Sequence, residues 1–270
     1  MFQKKKCNQD SQRPDYGCIS KRILITGGTD GIGLALAQRL LKDGHQVLVT
    51  GRNFARLQAA LHSCPGLKGL KSDVTIKKER MELIQNIRQQ FGKLDVLINN
   101  AGIGNGYHFF SDGAETLFEQ EINTNLLAPA LLIYEILPYL DRPANIINVT
   151  SGYALWPGPC LPGYSASKAG LSAFTSVLQE QVRMNREDIH VMEVCPPMVD
   201  TSMTSKVICA KISAEQVADQ IACAITSKPK KLLIGLCKVL DISRRISPGL
   251  TQWFIRRWPI PLKSLPPASQ

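Results

Sequence analysis

At 270 residues, 44% hydrophobic and 20% charged, the chain has the make-up of an ordinary globular protein, with room for one α/β domain and a substantial core. Its net charge of +10 sits at the ends: residues 1–22 hold six basic and two acidic side chains, and residues 228–270 hold nine basic side chains against Asp241 alone. The middle is slightly acidic, which argues against nucleic acid binding by the core, and no run of about 18 apolar residues exists to cross a membrane as a helix.

Residues 1–20 carry no apolar run behind their lysines, so they are expected to be a flexible extension rather than a secretory signal. Arg22-Ile23-Leu24-Ile25-Thr26 is a short β-rich run that ends in Gly27-Gly28-Thr29-Asp30-Gly31-Ile32-Gly33. A helical pattern follows from Leu34 to Lys42, stopped by Gly44. Gln46 to Thr50 is a second buried strand. The alternation continues with helix 53–62, strand 68–72, helix 76–91, strand 94–98, helix 114–138, strand 145–149, helix 162–184, strand 189–194, helix 213–227 and strand 231–236. Apolar strands alternating with amphipathic helices predict a parallel sheet covered on both faces and wound right-handedly in two directions. Such sheets bind ligands at the carboxyl ends of their strands, where the chemically interesting residues of this chain fall.

The first of these is the glycine turn, spaced Gly27, Gly31, Gly33, which lets backbone and a helix N-terminus approach a pyrophosphate; Thr29, Asp30 and Ile32 belong to the same turn. After the second strand, Gly51-Arg52-Asn53 offers an arginine and no acid, which favours a 2′-phosphate and hence NADP over NAD. Asp73, followed by Val74, is placed either to bind the adenine amino group or to cap the next helix. Asn99-Asn100-Ala101-Gly102 closes the fourth strand, where asparagines cross-link strand ends and small residues admit a cofactor. Ser151 ends the fifth strand and can donate to a substrate oxygen as charge develops on it. Asn125 is a polar residue in a long apolar helix and needs a partner. Tyr164 and Lys168 lie one turn apart on a helix face, where an ammonium lowers a phenol's pKa and the pair can act as acid or base. The eight cysteines (7, 18, 64, 160, 195, 209, 223 and 237) form no CxxC pair and no cluster with metal spacing, so buried, reduced thiols in a cytosolic protein and no metal are expected.

Together these residues resemble the short-chain dehydrogenase/reductase family. The matching pieces are Thr26-Gly27 with Gly31-Ile32-Gly33, Asn99-Asn100-Ala101-Gly102, Asn125, Ser151, and Tyr164 with Lys168, over roughly residues 20–230. The resemblance implies a single-domain Rossmann fold with a doubly wound seven-stranded parallel sheet, cofactor and active site sharing one domain. It implies that Tyr164 passes a proton to or from the substrate oxygen, that Lys168 lowers the tyrosine pKa and holds the nicotinamide ribose, that Ser151 polarises the carbonyl, and that Asn125 positions a water linking Lys168 to solvent. The hydride chemistry is the nicotinamide's. Where the family commonly has Pro-Gly before a threonine, this chain has Pro196-Pro197-Met198-Val199-Asp200-Thr201. Pro197 lacks an N–H, so the loop over the nicotinamide must run differently; the pattern looks like a DltE-type subgroup of bacterial oxidoreductases. Pro196, Val199 and Thr201 remain candidate cofactor contacts, and the short 202–212 loop suggests an open site.

The domain is expected to span residues 21–236, with a basic, aromatic extension over 237–270. There, Trp253-Phe254-Ile255-Arg256-Arg257-Trp258 interleaves apolar and cationic residues as a membrane surface favours. The expected function is NADP(H)-dependent interconversion of a carbonyl and a secondary alcohol on an apolar or lipid-like small molecule. The protein would be cytoplasmic, with peripheral membrane contact, and a homodimer through the two long helices. The alternatives are a non-redox hydrolase or isomerase of the same fold, or a non-catalytic NADP-binding regulator.

Overall fold

The computed structural model describes residues 19–185, 187–247 and 249. Seven strands, β1 (Arg22–Ile25), β2 (Gln46–Gly51), β3 (Lys68–Lys71), β4 (Leu94–Asn99), β5 (Leu140–Val149), β6 (Ile189–Cys195) and β7 (Lys231–Leu233), form one sheet in the order β3-β2-β1-β4-β5-β6-β7. Every pairing is parallel, so the expected doubly wound sheet is present. The strand order reverses between β1 and β4, and that switch point opens a crevice at their carboxyl ends.

The helices are α1 (Gly31–Lys42), α2 (Phe54–Ser63), α3 (Lys77–Phe91), α4 (Ala114–Ile122), α5 (Ala128–Ile136), α6 (Gly152–Leu155), α7 (Pro162–Met184), α8 (Ala214–Ser227) and α9 (Leu236–Ile246). Alternate strand residues face opposite sides of the sheet. Ile23, Ile25, Val47, Val49, Ile98 and Val149 pack beneath α1, α2 and α8. Leu24, Leu48, Leu97, Ile146 and Val191 pack beneath α3, α5 and α7. A buried ion pair adds to the second layer: Arg80 Nε, on α3, lies 2.8 Å from Glu135 Oε2, on α5.

Three departures from the sequence expectation bear on the site. The helix expected over 114–138 is interrupted by a π turn at Asn123–Leu127 that contains Asn125. A short helix, α6, begins directly after Ser151, whose side chain caps it. The last strand stops at Leu233, because Gly235 turns the chain with φ +53° and α9 follows. Helix α9 straddles the expected boundary between residues 236 and 237: Cys237 is 1% exposed and packs with Leu155 and Cys195. The six cysteines among the described residues are free, and Cys64, Cys160, Cys195 and Cys237 are buried. The run from Trp253 to Trp258 lies outside the described residues.

Candidate active site

The glycine turn is stitched into the crevice by its neighbours. Asn100 Nδ2 donates to Thr26 O at 3.0 Å and Gly27 O at 2.9 Å, and the Asn100 and Ala101 amides donate to Thr26 Oγ1. A Cβ on Gly33 would lie 2.4 Å from Gly27 O and 2.5 Å from Asn100 Nδ2, so only glycine lets α1 start this close to β1. Gly27 and Gly31 have positive φ, +65° and +52°. Asp30 caps α1 through Gly31 N, and the first amide to bond back along the chain is Leu34 N, to Asp30 O. The Ile32 and Gly33 amides are therefore left at the helix start for an anion. Thr29 packs on Gly51, and the methyl of Thr201 faces Gly31 across the crevice.

Beside this turn, Arg52 Nη1 lies 3.7 Å from Asp73 Oδ2, and Arg56 Nη1 lies 3.6 Å from Asp30 Oδ2. Both arginines are more than half exposed. Asp73 Oδ1 accepts from Thr75 N and Thr75 Oγ1, so this carboxylate organises the turn before α3 with one oxygen and offers the other. Asn53 is the N-cap of α2: its Oδ1 accepts from Arg56 N at 2.9 Å. The buried Val74 gives its carbonyl to Arg80. On the far side, the backbone of the Val199 stretch is held by a bridge to Ile212, and Thr201 caps the turn Ser202–Thr204. Pro196 O accepts from Gly152 N, tying this loop to Ser151's helix, and Pro197 packs against Gly235.

Ser151, Tyr164 and Lys168 converge at the end of β5. The buried Ser151 hydroxyl accepts from Tyr153 N at 3.2 Å and acts on the Tyr164 phenol, lowering its ionisation. Lys168 is 4% exposed; its Nζ donates to Val149 O at 2.8 Å and sits 5.8 Å from the centroid of the Tyr164 ring. Burial pushes the Tyr164 phenol up to about 12, partly opposed by Ser151. Burial also pushes the Lys168 ammonium down to about 8. Both shifts have burial as their first cause, the loss of water disfavouring each charged form. Asn125 is fully buried. It clamps the loop after β4 by donating to Ile103 O at 2.8 Å and accepting from Ile103 N at 2.9 Å, and its Nδ2 also donates to Ser167 Oγ. Its partners are therefore loop and α7, which meets its need for hydrogen bonds directly. Asn99 Nδ2 donates to Asn148 Oδ1, and Asn148 Nδ2 to Thr175 Oγ1, which ties the ends of β4 and β5 to α7.

The family model for short chain dehydrogenases matches residues 21–211. The chain belongs to this family. Among relatives, this short-chain dehydrogenase is 40% identical over 188 residues to the oxidoreductase DltE of Bacillus subtilis, covering 68% of this chain and 73% of that one. It is 31% identical over 242 residues to a fatty acyl-CoA reductase of Acinetobacter baylyi, covering 85% and 81%. Among solved structures it is similar to a short chain dehydrogenase of Burkholderia cenocepacia in complex with NADP, at TM-score 0.77 and 21% identity, covering 87% of this chain and 97% of that one. It is also similar to one of Burkholderia phymatum in complex with NAD, at TM-score 0.77 and 20% identity, covering 86% and 95%.

In this short-chain dehydrogenase, the residues singled out from the sequence fall around one crevice: the turn at 27–33, Asn100 to Gly102, Ser151, Tyr164, Lys168 and the loop at 196–201. Arg52, Asn53 and Asp73 form its outer rim. Sequence reading missed Arg56, Tyr107 and Glu121. Arg56 was within reach, on the first turn of α2. Tyr107 sits in an irregular loop, which gives no periodic signal. Glu121 had one, lying four residues before Asn125 on the same helix face.

Proposed function

We propose that this short-chain dehydrogenase is an NADP(H)-dependent carbonyl reductase, interconverting a carbonyl and a secondary alcohol. The observation that carries the reading is the convergence of the buried Ser151 and Lys168 on the half-buried Tyr164, with Ser151 acting on the phenol and Lys168 anchored on Val149 O one helical turn away. When bound, the nicotinamide supplies or takes the hydride. The glycine cradle supports its binding: Ile32 and Gly33 would hold the pyrophosphate, and Asn100, Ala101 and Gly102 would line the ribose. A phenol held at about 12 is a protonated acid at neutral pH, which suits donation to a carbonyl oxygen, while the Ser151 hydroxyl orients that oxygen. A Cβ on Gly102 would lie 3.2 Å from Asn125 Oδ1 and 3.4 Å from Lys168 Nζ; the space glycine leaves there suits a water that returns a proton to Tyr164 through Lys168.

NADP is favoured over NAD because Arg52 and Arg56 flank the rim after β2, where NAD would want an acid. An apolar, lipid-like substrate is favoured by helix α9, which exposes Leu236, Val239, Ile242 and Ile246 on the element that backs the Ser151 helix. Positions 239, 242 and 246 share one helix face, which supports peripheral contact with a lipid surface from the cytoplasmic side. The exposed Tyr134 on α5 and Val177 on α7 support a homodimer. The test is consumption of NADPH, followed by its fluorescence, across a panel of ketones and fatty acyl carbonyls. Turnover of a lipid-like carbonyl supports the reading; tight NADPH binding with no turnover on any of them points to the regulator.

A further inference from the structure

Glu121 lies beneath the catalytic tyrosine with none of its surface exposed, and it forms no ion pair among the described residues. A buried carboxylate without a cation is costly unless donors surround it. Three do. Asn105 N donates to Oε1 at 2.7 Å and the Tyr107 hydroxyl donates to Oε2 at 3.1 Å, and the Tyr164 backbone amide faces the carboxylate and favours its charge. Tyr107 Oη in turn accepts from Gly163 N at 3.2 Å.

These donors map onto the start of α7. That helix has Leu161 at its N-cap, with no side-chain cap, and Pro162 at its first position. Pro162 has no amide to satisfy, and Ser165 N already bonds back to Leu161 O. The amides left without an intrahelical partner are those of Gly163 and Tyr164. Tyr107 takes the first, and the Glu121 carboxylate faces the second. The contact is built at close range: a Cβ on Gly163 would lie 2.4 Å from Glu121 Oε2 and 2.7 Å from Tyr107 Oη. The same carboxylate holds the Asn105 amide, and the neighbouring Gly104 packs flat against the Tyr164 ring, where a Cβ would lie 3.0 Å from Cδ2. One side chain thus bears on both the start of α7, through Tyr107 and Gly163 N, and the loop that packs on the Tyr164 ring.

We propose that Glu121, with Tyr107 as its relay, is the N-cap of α7 supplied by another helix, and that as a carboxylate it is a positioning residue for Tyr164. The inference rests on Tyr164 being the proton donor. The titratable groups facing Glu121 are Tyr107, from the loop after β4, and Tyr164, from α7. Burial raises its own ionisation above the ordinary carboxylate range, against the pull of the groups that face it. Protonation would remove an acceptor from α7, so kcat should fall on the acid side with an ionisation above that range.

The test compares the wild-type enzyme with Glu121→Gln and Tyr107→Phe. Glu121→Gln should lower kcat about tenfold or more, leave NADPH affinity and KM within about twofold, and abolish the acid limb of the kcat profile. Tyr107→Phe should lower kcat less and keep the limb. A Glu121→Gln enzyme with wild-type kcat and an unchanged acid limb overturns the proposal. If that variant does not fold, Tyr107→Phe decides alone: wild-type kcat in it overturns the proposal, and a fall in kcat with NADPH affinity kept supports it. Phenol titration, assigned by difference against Tyr164→Phe, separates this inference from the proposed reaction. Removing the Glu121 charge should move the Tyr164 transition to lower pH even if no carbonyl is turned over, and an unmoved transition counts against the cap.

Discussion

At the scale of single residues, the site depends on a conflict between burial and charge. Tyr164 is pushed up to about 12 and Lys168 down to about 8 by the same loss of water. Lys168 therefore ionises near 8 when folded and at 10.5 in the unfolded chain. Between those values the unfolded chain binds more protons, so stability rises as pH climbs, and below 8 the cost of burying the ammonium is fully present. That cost is roughly 3 kcal/mol. We expect the unfolding free energy of the wild type, measured relative to Lys168→Met, to increase from pH 8 toward 10.5. A flat difference in urea melts across that window would show that Lys168 is not desolvated. That Tyr164, Ser151 and Lys168 meet at one strand end could be read from the sequence as a spacing and a resemblance. The direction in which their acidities move could not, because it depends on how deeply the fold buries them.

At the scale of elements, the crevice exists because helices begin very close to strand ends. Gly33→Ala would place a methyl 2.4 Å from Gly27 O. Its expected effect is a loss of about 1–3 kcal/mol in stability and NADPH affinity weaker by roughly tenfold or more, measured by thermal melts and fluorescence titration. Wild-type affinity in that variant would mean the turn does not hold the pyrophosphate. The strands and long helices were legible because their apolar periodicity survives in a sheet covered on both faces: α7 was expected at 162–184 and runs from Pro162 to Met184. The π turn at Asn123–Leu127 was not legible, since one extra residue in a helical turn leaves the apolar pattern almost intact. Helix α9 was hidden because its apolar residues follow a strand directly, and only Gly235 marks the break. The cap from Glu121 joins elements about forty residues apart, and no local pattern records such a contact.

At the scale of the molecule, charge and apolar surface divide the work. The middle of the chain is mildly acidic, yet Arg52 and Arg56 stand exposed at the crevice rim. A charge-assisted bond to a phosphate contributes about 1.5–3 kcal/mol, so Arg52→Ala should weaken NADPH by roughly tenfold to a hundredfold and leave NADH almost unchanged. Equal losses for both cofactors would remove the NADP argument. Helix α9 presents its apolar face next to the Ser151 helix, and a chain ending at residue 235 should bind vesicles less than the full chain; equal co-sedimentation would exclude residues 236–270 as the lipid contact. The central claim, that Tyr164 is the proton donor of a hydride-transfer enzyme, is tested most directly by Tyr164→Phe. The expected result is a fall in kcat of roughly two to four powers of ten with NADPH affinity within about twofold of wild type, and a Tyr164→Phe enzyme that keeps its turnover would contradict the claim.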